Sequence, residues 1–482
     1  MSTACWFRCD LRTHDNPALA AACQAGARYA LYVISAEQWA RHDDAPAKLL
    51  FWRESLKSMV PQLTRIGLTL ELLVVPTWDH LAQQLVQFCR EHEIKALHCN
   101  REQGVYERRR DREAYSALKA CGVDMVGHDG QTLFVPGSLK TGAGDFYRVF
   151  TPFSRAALTR LAHSSWMPLP SPDLIPDADR LVASVASKLD EIDQSWPALD
   201  MDGGFVSRLL ERWPASETVA LQRLENFVAD RIVNYHSQRD FPAEPGTSAL
   251  SPYLAAGLLS PRQCLHAAVQ ANGGELLSGL PGIRSWINEL LWREFYRHLI
   301  FGFPKLSMHK PLREQTEAVQ WRDAPDDFTA WCAGRTGIPI VDAAMNQLRE
   351  TGWMHNRLRM IVAMFLTKNL LIDWRLGESY FMQHLVDGDL AANNGGWQWS
   401  ASTGADSAPY FRVFNPVSQS QKFDPDGRFL RRWLPELSSL DNRSIHDPSQ
   451  QQRARLGYPE PIVDLKSSRL RAIAAFESLG ST

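Results

Sequence analysis

The chain lacks several features that would assign it to a familiar class. Its eight cysteines show no CxxC spacing and no Cys/His cluster, which argues against zinc, an iron–sulfur cluster or a disulfide framework. No apolar run is long enough to cross a bilayer, and the N-terminus reaches Arg8, Asp10 and Arg12 before any long apolar run. We therefore expect reduced thiols, no metal, no membrane association and a cytoplasmic location.

A global charge signal for nucleic acid is also missing. The formal net charge is −2 and there is no basic tail, so DNA binding would need a local basic patch. Tryptophan, in contrast, is abundant: nine of the sixteen follow residue 280. With 482 residues the chain is too long for one core, and we expect two domains.

The first 130 residues alternate short apolar runs with amphipathic stretches. Five strand-like runs occur, namely ACWF, YALYVI, LTLELLVV, IKALHC and VDMV. Asp15 or Asn16 is expected to cap the first helix, with Pro17 in its first turn. The pattern predicts an α/β domain with a doubly wound parallel sheet. Because no strand is followed by GxGxxG, a dinucleotide dehydrogenase is not favoured.

Two further regions follow the α/β domain. Residues 131–214 lose periodicity and gain Pro, Ser and Asp, which predicts a long interdomain linker. Residues 215–482 have helical spacing in nearly every segment, which predicts an all-α domain. Within it, LRMIVAMFLTKNLLIDW at 358–374 has helical spacing throughout.

One stretch, DGDLAANNGGWQW at 387–399, is too polar for a core strand and too aromatic for a solvated loop. Asp387 and Asp389 resemble the opening of a calcium loop, but such a loop needs an acidic or amide ligand where Ala391 stands and a Glu where Gln398 stands. We therefore favour a planar organic ligand, with carboxylate and amide groups at its edge and tryptophans beside it. An irregular buried turn is the alternative for any one of these residues alone.

Three other segments of the helical region contribute candidate residues. Thr247, Ser248 and Ser251 crowd a predicted helix N-terminus, where they serve either as plain caps or as a phosphate site. A polar stripe on a second predicted helix comprises Trp286, Glu289, Trp292, Arg293 and Tyr296. In WMHNRLRM the shared face is assigned to Trp353, Asn356, Arg357 and Met360, with Arg359 on another face.

A hydrolase is not favoured. His355 is the histidine beside these residues, and a lone histidine is more often structural than catalytic. Nothing near it in the sequence supplies a nucleophile or a triad partner.

With these motifs in view, the chain resembles the photolyase and cryptochrome family, most closely the bacterial cyclobutane pyrimidine dimer photolyases. The resemblance runs from WFRCDLRTHDNPAL at Trp6 to YPEPIVD near the end, and DGDLAANNGGWQW and TGWMHNRLRM are highly specific. It implies a helical domain that holds FAD in a folded shape. It also implies light-driven repair, in which excited reduced flavin lends an electron to a flipped-out dimer in damaged DNA and recovers it.

The resemblance also implies residue roles. Asp387, Arg359 and Asn393 would face the flavin ring, and Asn393 is typical of photolyases, where plant cryptochromes have Asp and animal ones Cys. The family's flavin contacts match Tyr235, Thr247, Ser248, Ala249, Leu250, Ser251, Trp286, Arg293, Arg359, Asp387, Gly388, Asp389 and Asn393.

The remaining roles concern substrate and electron supply. Glu289 and Asn356 would hydrogen-bond the dimer, and Trp292, Trp399 and Met360 would pack on it. The strand would meet Arg239 and Arg357, and photoreduction would pass through Trp321, Trp374 and Trp397. Six-four photolyases carry histidines where Asn356 and Met360 stand, so the resemblance implies repair of cyclobutane dimers.

The sequence departs from its relatives at the antenna site. Folate-using relatives contact methenyltetrahydrofolate through an Asn-Glu pair and a Cys-Lys pair. Here Glu107 remains, but Tyr106 precedes it, and Ser307 and Met308 replace the second pair. We expect 5,10-methenyltetrahydrofolate to bind weakly, with a deazaflavin or an empty cleft as the alternative.

Two other function classes stay open. A blue-light receptor on the same fold would bind FAD without repair, and a single-strand-binding module would use tryptophan platforms without flavin. The chain ends soon after YPEPIVD, without the long cryptochrome-type extension, which favours repair. We expect a monomer.

Overall fold

The computed structural model describes residues 2–176, 182–405 and 412–481. Its N-terminal part contains a five-stranded parallel sheet of order β3-β2-β1-β4-β5. The strands are β1 (Ser2–Phe7), β2 (Ala27–Ile34), β3 (Thr69–Val74), β4 (Ile94–Asn100) and β5 (Asp124–His128). Each overlaps one predicted apolar run, so the doubly wound α/β prediction is confirmed.

Helices cover both faces of this sheet because its residues alternate in direction. Cys5 and Phe7 of β1 belong to one buried cluster, whereas Ala4 and Trp6 belong to another. The helices are α1 (Pro17–Gln24), α2 (Ala36–Arg41), α3 (Pro46–Arg65), α4 (Leu81–Glu91) and α5 (Val105–Ala120). Asn16 caps α1, since its Oδ1 accepts the backbone N–H of Leu19 at 3.1 Å.

The rest of the described chain is mostly helical. Residues 131–214, predicted as a linker, contain α6 (Phe150–Ala162), α7 (Val182–Ser195) and α8 (Gly203–Arg212). Then follow α9 (Glu217–Asp230), α10 (Tyr235–Gln238), α11 (Ser251–Ala256), α12 (Pro261–Ala271), α13 (Pro281–Gly302), α14 (Pro325–Cys332) and α15 (Pro339–Thr351). The last are α16 (Asn356–Met364), α17 (Trp374–Met382), α18 (Leu390–Ala401), α19 (Pro416–Phe423), α20 (Arg428–Trp433), α21 (Gln450–Leu456) and α22 (Leu465–Glu477).

The continuous helical pattern over 358–374 is interrupted in the structure. After α16 the chain forms a wider π-helical turn at Phe365–Asn369, and Leu371 adopts a left-handed φ of 55°. Asp373 then caps α17 by accepting the backbone N–H of Arg375 at 3.0 Å. The apolar periodicity did not reveal this break because residues on both sides of it are buried.

Buried polar contacts join the two halves of the molecule. Arg12 is almost fully buried and donates to the carbonyl oxygens of Gly257 at 2.9 Å and Gly130 at 2.6 Å. Glu217 accepts the backbone N–H groups of Thr13 and His14, both at 2.8 Å. The bonds to Gly257 and Glu217 fix the α/β domain against the helical domain. A cleft remains between them at the carboxyl ends of the strands.

Candidate functional site

A cavity of about 570 Å³ opens within the helical domain. Its size lies in the range of ligand pockets, roughly 300–1,000 Å³. Its lining includes seventeen predicted residues, namely Tyr235, Arg239, Ser248, Ser251, Trp286, Glu289, Trp292, Arg293, Tyr296, Asn356, Arg359, Met360, Asp387, Asp389, Asn393, Trp397 and Trp399. The structure therefore brings together residues that lie more than 160 positions apart in the sequence.

The polar stripe of Trp286, Glu289, Trp292, Arg293 and Tyr296 lies on α13, and this α13 stripe lines the helical cavity. All five of its residues line the cavity because spacings of three and four place them on one side of a helix. Leu291 and Phe295 are fully buried in the core behind it. The polar face of α13 is thus held in place by its apolar face.

Arg359 and Asp387 also line the cavity and form an ion pair, in which one guanidinium nitrogen contacts both carboxylate oxygens. Arg359 Nη2 lies 3.0 Å from Asp387 Oδ1 and 2.8 Å from Oδ2, and its Nε donates to the Met354 carbonyl at 2.8 Å. The Asp387 side chain is only 2 % exposed. The assignment of Arg359 to a different helix face from Asn356 is wrong. Because α16 begins at Asn356, Arg359 lies one turn after Asn356 on the same face of the helix, and this face lines the cavity.

Asn393 is oriented by its own amide. Its Nδ2 donates to the Glu378 backbone carbonyl at 2.9 Å, which leaves Oδ1 as the group available to a ligand. The adjacent Asn394 is fully buried, and its Nδ2 donates to Glu378 Oε1 at 2.8 Å. Of the two neighbouring amides, Asn393 serves the cavity and Asn394 serves the core.

Asp389 stands at the start of α18 with a fixed charge. Its Oδ1 accepts the Ala392 N–H at 3.0 Å, and its Oδ2 lies 2.5 Å from Arg297. Burial opposes ionisation, but the Arg297 and Arg293 guanidinium groups outweigh it and lower the pKa of Asp389 to about 2. Burial also lowers the pKa of Arg293 to about 10, so that side chain remains a cation at neutral pH.

The helix predicted to begin near Thr247, Ser248 and Ser251 is α11, and it starts differently from the prediction. Ser251 is the first residue of α11 rather than its cap, and its Oγ accepts the Trp353 indole N–H at 3.2 Å. Ala249 has a left-handed φ of 53°, and this turn sets where the helix begins. Ser248 and Ser251 line the cavity. The lining residues described do not include Thr247, Ala249 or Leu250.

The predicted DNA contacts lie in two places. Arg239 and Glu289 line the helical cavity and form an ion pair with each other, and burial raises the pKa of Glu289 against the opposing effect of Arg239. Arg357 lies outside the described lining. It pairs with Asp240 at 2.8 Å, and its guanidinium carbon lies 4.4 Å from the centre of the Phe423 ring.

The three tryptophans assigned to electron transfer differ in their surroundings. Trp397 lines the cavity and is 2 % exposed. Its ring packs so closely on Gly377 that a Cβ there would collide with it, and Gly377 lies one turn beyond the buried Trp374 on α17. Trp321 is half-buried, and the next residue donates its backbone N–H to Leu371, just before α17, at 2.7 Å.

The interdomain cleft has a volume of about 490 Å³. It is lined by Tyr106, Glu107 and Ser307, together with Gly388, which was predicted as a flavin contact. Met308 is 45 % exposed and lies outside the described lining. The cleft and the helical cavity share Ala255 and Asp389 as lining residues.

Glu107 is the unusual group of this cleft. Its buried Oε2 has no hydrogen-bond partner within the described part of the chain, and its Oε1 lies 3.9 Å from His42 Nδ1. Burial, reinforced by the nearby Glu102, raises its pKa to about 7. An unpartnered buried carboxyl oxygen is a place where a ligand donor fits.

Two groups of residues that line the cavity or the cleft were not predicted from the sequence. Phe150 and Thr151 line the helical cavity from the predicted linker, where no periodicity marked them. Arg297 pairs with Asp389 from α13, and its position four residues after Arg293 was a usable signal.

The described residues contain no cluster of three or more His, Cys, Asp or Glu side chains that could hold a metal ion. None of the helices described is long and apolar enough to span a membrane.

Comparison with known proteins agrees with this geometry. Residues 3–173 match the family model for DNA photolyase, and residues 286–478 match that for the FAD binding domain of DNA photolyase. The chain is 44 % identical over 478 residues to a deoxyribodipyrimidine photo-lyase of Salmonella typhimurium, covering 98 % of each chain. The chain belongs to the DNA photolyase family.

Solved structures give the same fold over the full length. A bacterial class III photolyase from Agrobacterium tumefaciens matches with a TM-score of 0.85 and 35 % identity, covering 100 % of this chain and 98 % of that one. A cryptochrome from Synechocystis matches with a TM-score of 0.83 and 28 % identity, covering 98 % and 99 %.

Proposed function

We propose that this chain is a deoxyribodipyrimidine photo-lyase that repairs cyclobutane pyrimidine dimers in DNA with light. The observation that carries the proposal is the helical cavity, which is lined by the fixed Asn393 amide, by the Arg359–Asp387 pair and by the aromatic and polar α13 stripe. The whole-chain similarity to a photo-lyase of the same name supports it.

The cavity fits FAD. Asn393 offers an oriented carbonyl oxygen to a ring N–H, and Arg359 and Asp387 offer charge and hydrogen bonds at the ring edge. Ser248, Ser251 and the cationic Arg293 would bind pyrophosphate oxygens. When bound, the flavin supplies light absorption and the reversible loan of one electron. Tyr235 and Trp286 would add apolar walls to the site.

The same cavity offers groups for an extruded dimer. Glu289 and Asn356 would bond the polar edges of the pyrimidines, and Trp292, Trp399 and Met360 would pack against their faces. Removal of the dimer from the duplex is eased because a crosslinked pair already stacks and pairs poorly. Asn356 and Met360 supply no proton at neutral pH, so the site is suited to cyclobutane dimers rather than six-four photoproducts.

Two arginines would engage the damaged strand. Arg239 is held by Glu289 and Arg357 by Asp240, and phosphate groups would compete for both guanidinium groups. Trp397, Trp374 and Trp321 would carry electrons to the oxidised cofactor from an external donor. For the chain as a whole we propose a monomeric, cytoplasmic enzyme, and its eight free cysteines agree with a reducing compartment.

The interdomain cleft is our proposed antenna site. Glu107 Oε2 would accept an amino group of a pterin, and Tyr106, which is 42 % exposed, would lie against a ring. Ser307 in place of a cysteine and Met308 in place of a lysine leave fewer polar contacts for a folate tail. We therefore propose weak binding of 5,10-methenyltetrahydrofolate.

The function is tested with oligonucleotides that carry one defined lesion. Purified, photoreduced protein is incubated with a cyclobutane dimer or a six-four photoproduct, in light and in the dark, and restored bases are measured. We expect restoration of the cyclobutane dimer in light alone. Flavin binding with no repair of either lesion would instead indicate a photoreceptor, and efficient six-four repair would contradict the substrate assignment.

The antenna is tested separately by extracting chromophores from freshly isolated protein. We expect folate below one equivalent per flavin, falling further on dialysis. Stoichiometric folate that resists dialysis would contradict weak binding, and an extracted deazaflavin would contradict the folate assignment.

A further inference from the structure

Phe150 forms a close aromatic stack with Trp292 on the wall of the helical cavity. The two ring centroids are 3.7 Å apart and the planes differ by only 7°. Both residues line the cavity, and both are half-buried. Phe150 comes from residues 131–214, whereas Trp292 is part of α13. The stack therefore joins the connecting region directly to the proposed substrate platform.

Phe150 is held firmly in this position. It is the first residue of α6, and Phe153, one turn later, is fully buried against Phe295 of α13 with centroids 5.2 Å apart. Phe295 also meets the Phe150 ring edge-on at 5.8 Å and 71°. Because α6 is anchored by a buried side chain, Phe150 behaves as a fixed wall rather than as a plug that a ligand displaces.

The stack limits what Trp292 can do. Phe150 covers one face of the indole, while Phe295 and Tyr296 meet it at 5.8 and 5.6 Å with planes 77° and 36° apart. A flat ligand can therefore stack only on the opposite face. An indole whose orientation is fixed before binding loses less conformational entropy when a base stacks on it.

We propose that Phe150 is a positioning residue for damage recognition, which holds Trp292 so that its open face receives the pyrimidine dimer. This inference rests on the proposed function, because it takes the dimer as the ligand of the cavity. Undamaged DNA keeps its bases stacked in the duplex and does not use this platform. Phe150 thereby contributes to the difference in affinity between damaged and undamaged DNA.

The test compares Phe150→Ala, Phe150→Tyr and Phe150→Leu with the control Phe146→Ala. Phe146 is a half-buried phenylalanine of the same region, and it packs on Phe301 and Phe303 rather than on Trp292. Dissociation constants are measured in the dark for an oligonucleotide with one cyclobutane dimer and for the same undamaged sequence. Repair by pre-reduced protein is then measured in light at limiting and saturating DNA.

We expect Phe150→Ala to weaken dimer binding about tenfold, because the variant loses one aromatic pair and part of the stacking of the base on Trp292. Binding of undamaged DNA should change less than about twofold by the same reasoning, KM should rise and kcat should stay the same. Phe150→Tyr keeps a flat ring and should behave as the parent protein, as should Phe146→Ala. Bound flavin and the thermal midpoint report on folding.

Unchanged dimer affinity in Phe150→Ala, or equal losses for damaged and undamaged DNA, would overturn the proposal. Tighter dimer binding would show that Phe150 obstructs the platform. If Phe150→Ala does not fold, the same measurements are made on Phe150→Leu, which keeps most of the side-chain volume but removes the flat ring. A selective loss of dimer affinity in that variant supports the proposal, and unchanged affinity overturns it. Absence of dimer repair by the parent protein would contradict the proposed function itself, which is a separate outcome.

Discussion

The helical cavity and the interdomain cleft have similar volumes, about 570 and 490 Å³, but their polar groups are held differently. In the helical cavity, Arg359 and Asp387 bind each other and Asn393 is tied to a backbone carbonyl. In the cleft, Glu107 keeps a buried oxygen that has no partner among the described residues. The first site is organised before its ligand arrives, whereas the second leaves bonding capacity for a ligand to satisfy.

The largest expected effect is on photoreduction, which only the helical cavity should support. Trp321→Phe should fold and should repair dimers when pre-reduced, but photoreduction by an external donor should fall to background. Trp166→Phe is the control, because Trp166 is also half-buried and its indole N–H bonds the Leu161 carbonyl away from both cavities. Transient absorption and steady-state flavin spectra measure the rate. Undiminished photoreduction in Trp321→Phe would require another electron route.

The next effect concerns the organised ion pair. Arg359→Ala leaves the buried Asp387 carboxylate without its cation, which should lower the free energy of unfolding by about 3 kcal/mol and reduce bound flavin. Arg101→Ala breaks an exposed pair with Asp129 and should cost under about 1 kcal/mol. Denaturant unfolding measures both. Equal losses in the two variants would show that the pair is not specially organised.

The two neighbouring amides offer a matched comparison. Asn393→Ala removes the oriented carbonyl and should change the resting redox state of the flavin and slow repair about thirty-fold, the value of a hydrogen bond to a charged group. Asn394→Ala should lower stability but leave the flavin spectrum unchanged, because Asn394 bonds the buried Glu378. Full activity of Asn393→Ala with an unchanged redox state would refute its role.

The smallest effect tests the cleft. The Glu107 pKa of about 7 lies above the ordinary value near 4.3, so the folded state holds this proton more tightly. Ionisation of Glu107 therefore lowers the free energy of unfolding, and this loss grows as pH rises from about 4.3 to 7. Glu107→Gln should remove this loss, so that its advantage over the parent grows by about 1 kcal/mol between pH 5 and pH 6. Parallel stability curves in thermal unfolding would contradict the assignment.

Local pattern made much of the architecture predictable. The strands were visible because each is an apolar run between amphipathic helices, and Asn16 with Pro17 marked the first helix start. The α13 stripe was visible because polar and aromatic residues recur at helical spacing on a helix whose other face is buried. In both cases one periodic segment carried the whole signal.

Other features depend on tertiary contacts that no local pattern encodes. The break before Trp374 follows from a left-handed Leu371 inside an otherwise apolar helical segment. Ser251 resembled a cap, but Ala249 turns the chain so that the helix starts at Ser251 itself. Phe150 reaches the cavity from a region without periodicity, because Phe153 anchors its helix to α13.

The wall shared by the two sites limits how independently they can change over evolution. Asp389 faces both, and its carboxylate is committed to the start of α18 and to Arg297. A replacement there that suited a new antenna pigment would also disturb the flavin side. Tyr106 lines the cleft but not the helical cavity, so a replacement there would leave the flavin side undisturbed. The preference for the proposed antenna pigment can therefore change at Tyr106 while the residues of the helical cavity stay the same.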